Sequence, residues 1–153
     1  MNREILFRGK RIDTGEWVYG LLMIMWGQYH IINPKDENTA HPVDPATVGQ
    51  YTGLTDKHGV KIFEGDIVAW RREDILLNGH YMAYGYGDNG YKYGSELVVR
   101  WLESGFMLCR KNDGLPNTPN GNGKIDNYAF WNYHRFLEVI GNIHDSPSLL
   151  KGA

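Results

Sequence analysis

The sequence has a single cysteine in 153 residues, Cys109. No internal disulfide can form, which fits a reducing compartment. Cys109 follows Phe106-Met107-Leu108, and a small core residue is a plainer reading of it than a nucleophile. An excess of one charge is missing too. Sixteen Lys and Arg face eighteen Asp and Glu, for a net charge of −2. The broad basic footprint that nucleic-acid binding usually leaves is therefore absent, although local clusters occur at Arg3, Arg8, Lys10 and Arg11 and at Arg71-Arg72. Such clusters read first as solvated strand ends. Long apolar runs are also lacking. The most apolar stretch, residues 18–26, is too short to cross a bilayer as a helix. The first residues show no signal-peptide core. No repeat or heptad pattern is visible. The expectation is a soluble protein of the cytoplasm with no membrane partner.

What is present points to strands. Apolar residues make up 42% and aromatics 13%, enough to fill the core of one ordinary domain or of two small lobes. Nineteen glycines and ten tyrosines favour turns and short strands over long helices. Residues 4–8 read as a first strand. Asp13-Thr14-Gly15 is a turn signal, and residues 16–24 form an aromatic and branched strand. Gly27 turns the chain into residues 28–32, close enough to pair as a hairpin. Residues 33–45 hold three prolines and read as a loop. Short strands follow at 47–51, 61–63 and from Asp66, with a turn at Asp56-Lys57-His58-Gly59. Gly65 permits a bulge or a sharp change of direction. Residues 97–101 and 105–109 flank a hairpin turn. Residues 128–137 suit a short aromatic helix or an extended segment, and 138–143 a last strand.

Two stretches differ in character. Residues 72–95 hold five tyrosines and five glycines, and 112–127 are dense in Asn, Gly and Pro. Long irregular excursions in compact domains are usually functional or mobile, and Tyr with Gly suits an adaptable contact surface. Many short strands separated by turns indicate a barrel or sandwich.

Glu64 and Asp66 are the first candidates for chemistry. Paired carboxylates can bind Mg²⁺ or share acid–base work, and His58 lies nearby in sequence. Gly65 between them favours turn-fixing instead, because a carboxylate beside glycine can accept from nearby backbone N–H groups. The six histidines show no zinc-ligand spacing. Residues 85–90 match G-x-G-x-x-G but do not join a strand to a helix, so a dinucleotide fingerprint is rejected. No catalytic, cofactor or metal residue is assigned, and no cofactor is implied. The five tryptophans could grip a base or a peptide, or fill core and interface. Trp17, Trp70 and Trp101 are expected mainly buried in strands, and Trp131 is the better interface candidate.

In order along the chain, Arg3-Glu4-Ile5-Leu6-Phe7-Arg8-Gly9-Lys10-Arg11, Gly15-Glu16-Trp17-Val18-Tyr19-Gly20, the run from Val43-Asp44-Pro45 to Thr52-Gly53-Leu54, Asp56-Lys57-His58-Gly59, Phe63-Glu64-Gly65-Asp66-Ile67-Val68 and Glu138-Val139-Ile140-Gly141-Asn142-Ile143 resemble the YopX family of bacteriophage and prophage proteins. The likeness runs from residue 3 to about residue 150 and lapses at 72–95 and 112–127. It implies a phage or prophage origin in a Gram-positive or similar bacterial host. It implies a mainly β fold, residues 1–153 forming one domain. Within it an N-terminal β-hairpin region, 1–45, would pack with an SH3-like small barrel, 46–153, that carries both excursions. It also implies a homo-oligomer, and it does not imply an activity. The leading expectation is a non-enzymatic accessory protein that binds itself and a phage or host protein. Nucleic-acid binding through Arg71, Arg72, Tyr84 and Tyr86 is the alternative, and a metal-assisted hydrolase built on Glu64, Asp66 and His58 ranks last.

Overall fold

The structure, a computed structural model, describes residues 3–36, 39–70, 96–102, 105–111 and 134–150. They form β1 (Phe7–Lys10), β2 (Trp17–Met25), β3 (Gln28–Ile32), β4 (Ala40–Pro42), β5 (Gly49–Thr55), β6 (Lys61–Phe63), β7 (Asp66–Trp70), β8 (Glu96–Leu102), β9 (Gly105–Arg110) and β10 (Leu137–Asn142). Two 3-10 turns, Pro45–Thr47 and His134–Phe136, and one helical turn, Pro147–Leu150, complete the described elements. All the strand pairings resolved residue by residue are antiparallel. One sheet runs β4-β3-β2-β1-β5-β6 and the other β10-β7-β8-β9. Neither sheet closes on itself among the described residues, so the expectation of a mainly β fold holds at the level of two open antiparallel sheets.

The chain divides into two compact units, residues 1–53 and 54–153. In the first, β2 is shared between two partners. Trp17 to Gly20 pair with β1, and Leu21 to Met25 pair with β3. Gly20 sits where the partner changes, and this is why it has no side chain. A Cβ there would lie 2.1 Å from the Ile32 carbonyl oxygen. Trp26 and Gly27 make the β2–β3 turn with φ of 49° and 76°, the positive values that a two-residue hairpin demands. The proline-rich stretch read as loop contains β4, which pairs with β3 at the edge of the sheet. Pro42 is tolerated there because an edge strand can lack a ladder donor. Asp44 then caps the 3-10 turn, its Oδ1 accepting from Ala46 N at 3.0 Å.

The core of this unit is small: Ile31, Val43 and Tyr51 are buried, with Thr47 and Arg8. Arg8 corrects the reading of the N-terminal basic cluster as solvated. It is only 5% exposed, and its guanidinium lies 4.8 Å from the centre of the Trp17 ring. Lys10 approaches the same ring at 5.5 Å. A weakly hydrated guanidinium stacks on an indole face at little desolvation cost, which a sequence pattern does not reveal.

Arg11 does behave as a solvated residue. Its Nε and Nη2 donate to the two oxygens of Asp13 at 3.0 and 2.7 Å. That bidentate bond holds the Asp13 carboxyl below the ordinary carboxylate range. A depressed folded value means that the pair's contribution is present above the ordinary Asp pKa and is lost as pH falls through the lowered one. The expected result in an NMR titration is a low Asp13 midpoint that returns to the ordinary value in Arg11→Gln. An unchanged midpoint would rule the pair out in solution.

In the second unit, Ile62, Val68, Leu97, Val99, Phe106, Leu108 and Leu137 form one buried cluster, with Leu54 and Val139 packed against it. Burial of each such side chain is worth about 1.5–3 kcal/mol, so this cluster dominates the unit's stability. Ile67, Val98, Met107 and Cys109 are buried as well. Cys109 is thus a core residue, as its apolar run suggests. Trp101 is not. It stands half-exposed near the end of β8, edge-on to Phe106 at 4.8 Å. Trp70's backbone continues β7, while Trp131 lies outside the described residues.

Candidate functional site

The region of Glu64, Asp66 and His58 is where catalysis could have been built. Gly65, with φ of 90°, turns the chain between β6 and β7. Its N–H donates to Val99 O at 2.7 Å, and its carbonyl accepts from Ile143 N at 2.9 Å. Asp66 is buried and its Oδ2 accepts from Phe63 N at 2.7 Å. A carboxylate bonded across its own tight turn is held by the fold rather than offered to a substrate. Glu64 lies between Phe63 and Gly65 in this same tight turn.

The organising group nearby is Asp56, which sequence reading placed only as a turn residue. It is 4% exposed. Oδ1 accepts from His58 N at 2.8 Å and Val60 N at 2.9 Å, closing the β5–β6 turn. Oδ2 accepts from Val139 N at 3.0 Å, and Lys57 N donates to Leu137 O at 2.9 Å. One carboxylate therefore fixes a turn and docks it on β10. His58 is exposed, with Nε2 at 3.8 Å from Glu138 Oε1. His134 reaches the end of β5 through Nδ1, 2.6 Å from Thr55 O. Among the described residues, no group of three or more His, Cys, Asp or Glu is placed to hold a metal ion.

The surface feature that stands out lies in the first unit. Seven large apolar side chains between Ile5 and Trp26 are exposed: Ile5, Ile12, Tyr19, Leu21, Ile24, Met25 and Trp26. The last three make the tip of the β2–β3 hairpin, and Trp26 is 94% exposed. Side chains alternate along a strand, so Tyr19, Leu21, Met23 and Met25 share one face of β2 and Ile24 lies on the other, paired with Tyr29. One sequence signal could have flagged the exposed apolar surface of this hairpin. The eighteen residues from Trp17 to Pro34 contain no Asp, Glu, Lys or Arg.

The other candidate contact residues, Arg71, Arg72, Tyr84, Tyr86 and Trp131, lie outside the described residues. So do both excursions, 72–95 and 112–127. Among the described residues no helix is long and apolar enough to cross a membrane.

Comparison with known proteins completes the picture. Among solved structures the chain is similar to protein EF1440 from Enterococcus faecalis, with 20% sequence identity, a TM-score of 0.49, and alignment over 96% of this chain and 98% of that one. No curated protein matches the chain. The family model described as YopX protein matches residues 6–151. With nearly its whole length matched, the chain belongs to the YopX family.

Proposed function

We propose that this protein is a phage- or prophage-encoded accessory protein of the bacterial cytoplasm that acts by binding, as a homo-oligomer, rather than by turning over a substrate. The observation that carries this reading is the exposed, uncharged β2–β3 hairpin. Exposed apolar groups that gather on one element mark interaction sites, whereas scattered ones need no explanation. Of the candidate carboxylates, Asp66 accepts from a backbone N–H group across its own turn, and the neighbouring Asp56 accepts from three more.

In this reading β5 to β10 belong to an SH3-like barrel that presents residues 72–95 and 112–127 to a phage or host protein, with Arg71, Arg72, Tyr84, Tyr86 and Trp131 as contacts. The test is light scattering on a gel-filtration column at micromolar concentration, followed by mass spectrometry of whatever purifies with tagged protein from a bacterial host. An oligomer with a specific protein attached is expected. A strict monomer would remove self-association. Co-purifying nucleic acid that washes off with salt would move the assignment to nucleic-acid binding.

A further inference from the structure

We propose that the β5–β6 turn is a guard on the outer edge of β10: it fills the backbone positions that a strand from a second copy of this chain would take, and so keeps β10 from pairing with β10 of another molecule. The proposal goes beyond the oligomeric reading above and holds whichever surface an oligomer uses.

Three features carry it. The first is position. β10 ends the sheet β10-β7-β8-β9, and no described strand lies on its other side. Such an edge presents N–H and C=O groups that are a template for a further strand. The outward groups of β10 include Leu137 O, Val139 N and Asn142 O, the alternation along the strand being reset by the bulge between Val139 and Gly141. All three are answered without a strand. Lys57 N donates to Leu137 O at 2.9 Å, Val139 N donates to Asp56 Oδ2 at 3.0 Å, and Ser146 N donates to Asn142 O at 2.9 Å.

The second is the pattern of the first two bonds. Leu137 O and Val139 N belong to residues two apart, the spacing at which an antiparallel neighbour donates to the one and accepts from the other. With Lys57 as donor, a regular ladder would use Thr55 O as the acceptor. That carbonyl is engaged by His134 Nδ1 at 2.6 Å, and the Asp56 carboxylate accepts in its stead. The turn therefore imitates one rung of a strand. It then stops, because Asp56 Oδ1 bends the chain back through His58 N and Val60 N.

The third is composition. Residues 137–143 carry one charge, Glu138, no proline, and four branched apolar residues, Leu137, Val139, Ile140 and Ile143. A segment of this kind on an open edge pairs readily with its own copy. An antiparallel β10–β10 contact is isologous, one segment meeting itself across a two-fold axis. The single charge of the segment gives little protection against this, since Glu138 Oε1 is turned to the guard, 3.8 Å from His58 Nε2. The covering turn supplies the protection that side-chain charge does not.

The experiment compares Asp56→Asn with the wild-type full chain. One amide cannot accept from the turn and from Val139 at once. Val99→Ala is the control, because it destabilises the same unit from within the buried cluster and leaves the edge bonds in place. Analytical ultracentrifugation over a concentration series measures association. Native-state hydrogen exchange follows the Val139 amide, and near-UV circular dichroism shows that each variant is folded. In Asp56→Asn the Val139 amide is expected to exchange about tenfold faster or more at low concentration, and self-association to tighten by about tenfold or more. The amide should regain protection as concentration rises, while Val99→Ala associates as the wild type does. Association raised equally in both variants would assign it to general instability and overturn the guard. So would Asp56→Asn with wild-type association, or an associated Asp56→Asn whose Val139 amide still exchanges fast.

Discussion

Gly20→Ala is expected to destabilise the N-terminal unit by about 3 kcal/mol or more, enough to unfold it under mild conditions. The added Cβ would sit 2.1 Å from the Ile32 oxygen, 2.7 Å from its carbonyl carbon and 3.1 Å from Asn33 Cα. All three atoms are backbone, so no rotamer change relieves the overlap. Only movement of β3 away from β2 can, and it opens the Leu21–Ile32 pair. That pair begins the hairpin at the point where β2 leaves β1. The lost hydrogen bonds therefore add to the steric cost. Gly15→Ala and Gly27→Ala are the controls. Both glycines have positive φ, yet a Cβ at either meets nothing within 4 Å. They should cost only the backbone term, about 1 kcal/mol. Urea unfolding of the three variants, with hydrogen exchange of the β2 and β3 amides, measures the contrast. A Gly20→Ala cost no larger than the controls would show that the close approach is absent in solution.

The contrast also shows what a sequence reader can see. Strands β2 and β3 and their turn were legible because aromatic and branched residues flank a glycine. So was the β8–β9 hairpin. The same holds for the turn at Asp56 and the sharp bend at Gly65, since both positions carry residues whose local chemistry makes turns. Gly20, by contrast, looks like any strand glycine. Its necessity comes from Ile32, twelve residues later in the chain, and long-range approach leaves no local trace. Strand β4 was hidden for a related reason. Its three residues end in proline, and only pairing to β3 makes them a strand. Arg8 was misread because cation stacking on Trp17 is a cross-strand event. Trp101 was placed in the core on hydrophobicity alone, although a residue near a strand end can stay half in water.

At the candidate site only the turn was legible. Gly65 between two acidic residues suggested punctuation, and Asp66 accepts from Phe63 N across that turn. What the sequence concealed was which carboxylate matters most. Glu64 and Asp66 drew attention because they are neighbours. Asp56 stands apart from both and does more, because Val139 is brought to it from 83 residues away.

Asp56→Ala is accordingly expected to cost the C-terminal unit about 3–4 kcal/mol, with loss of the fold at moderate temperature. Three backbone N–H groups, those of His58, Val60 and Val139, lose their acceptor together. Each is a bond to a charged group, stronger than a neutral one. Alanine cannot replace any of them, and its small volume leaves no room for compensation by packing. Asp56→Asn separates the two halves of the role. Its amide oxygen can serve His58 and Val60, but its NH₂ then faces the Val139 N–H, donor against donor. Flipping the amide satisfies Val139 and abandons the turn instead. Asn should therefore retain part of the stability and lose about 2 kcal/mol. Glu64→Gln should cost less by comparison, since Glu64 is half-buried and glutamine keeps its size and an oxygen that can accept. Chemical denaturation of the three variants orders them. If Asp56→Ala proved as stable as Glu64→Gln, the carboxylate would not be holding the β5–β6 turn to β10. The graded order Ala, Asn, Gln would identify Asp56 as the residue that joins two distant parts of this unit through one side chain.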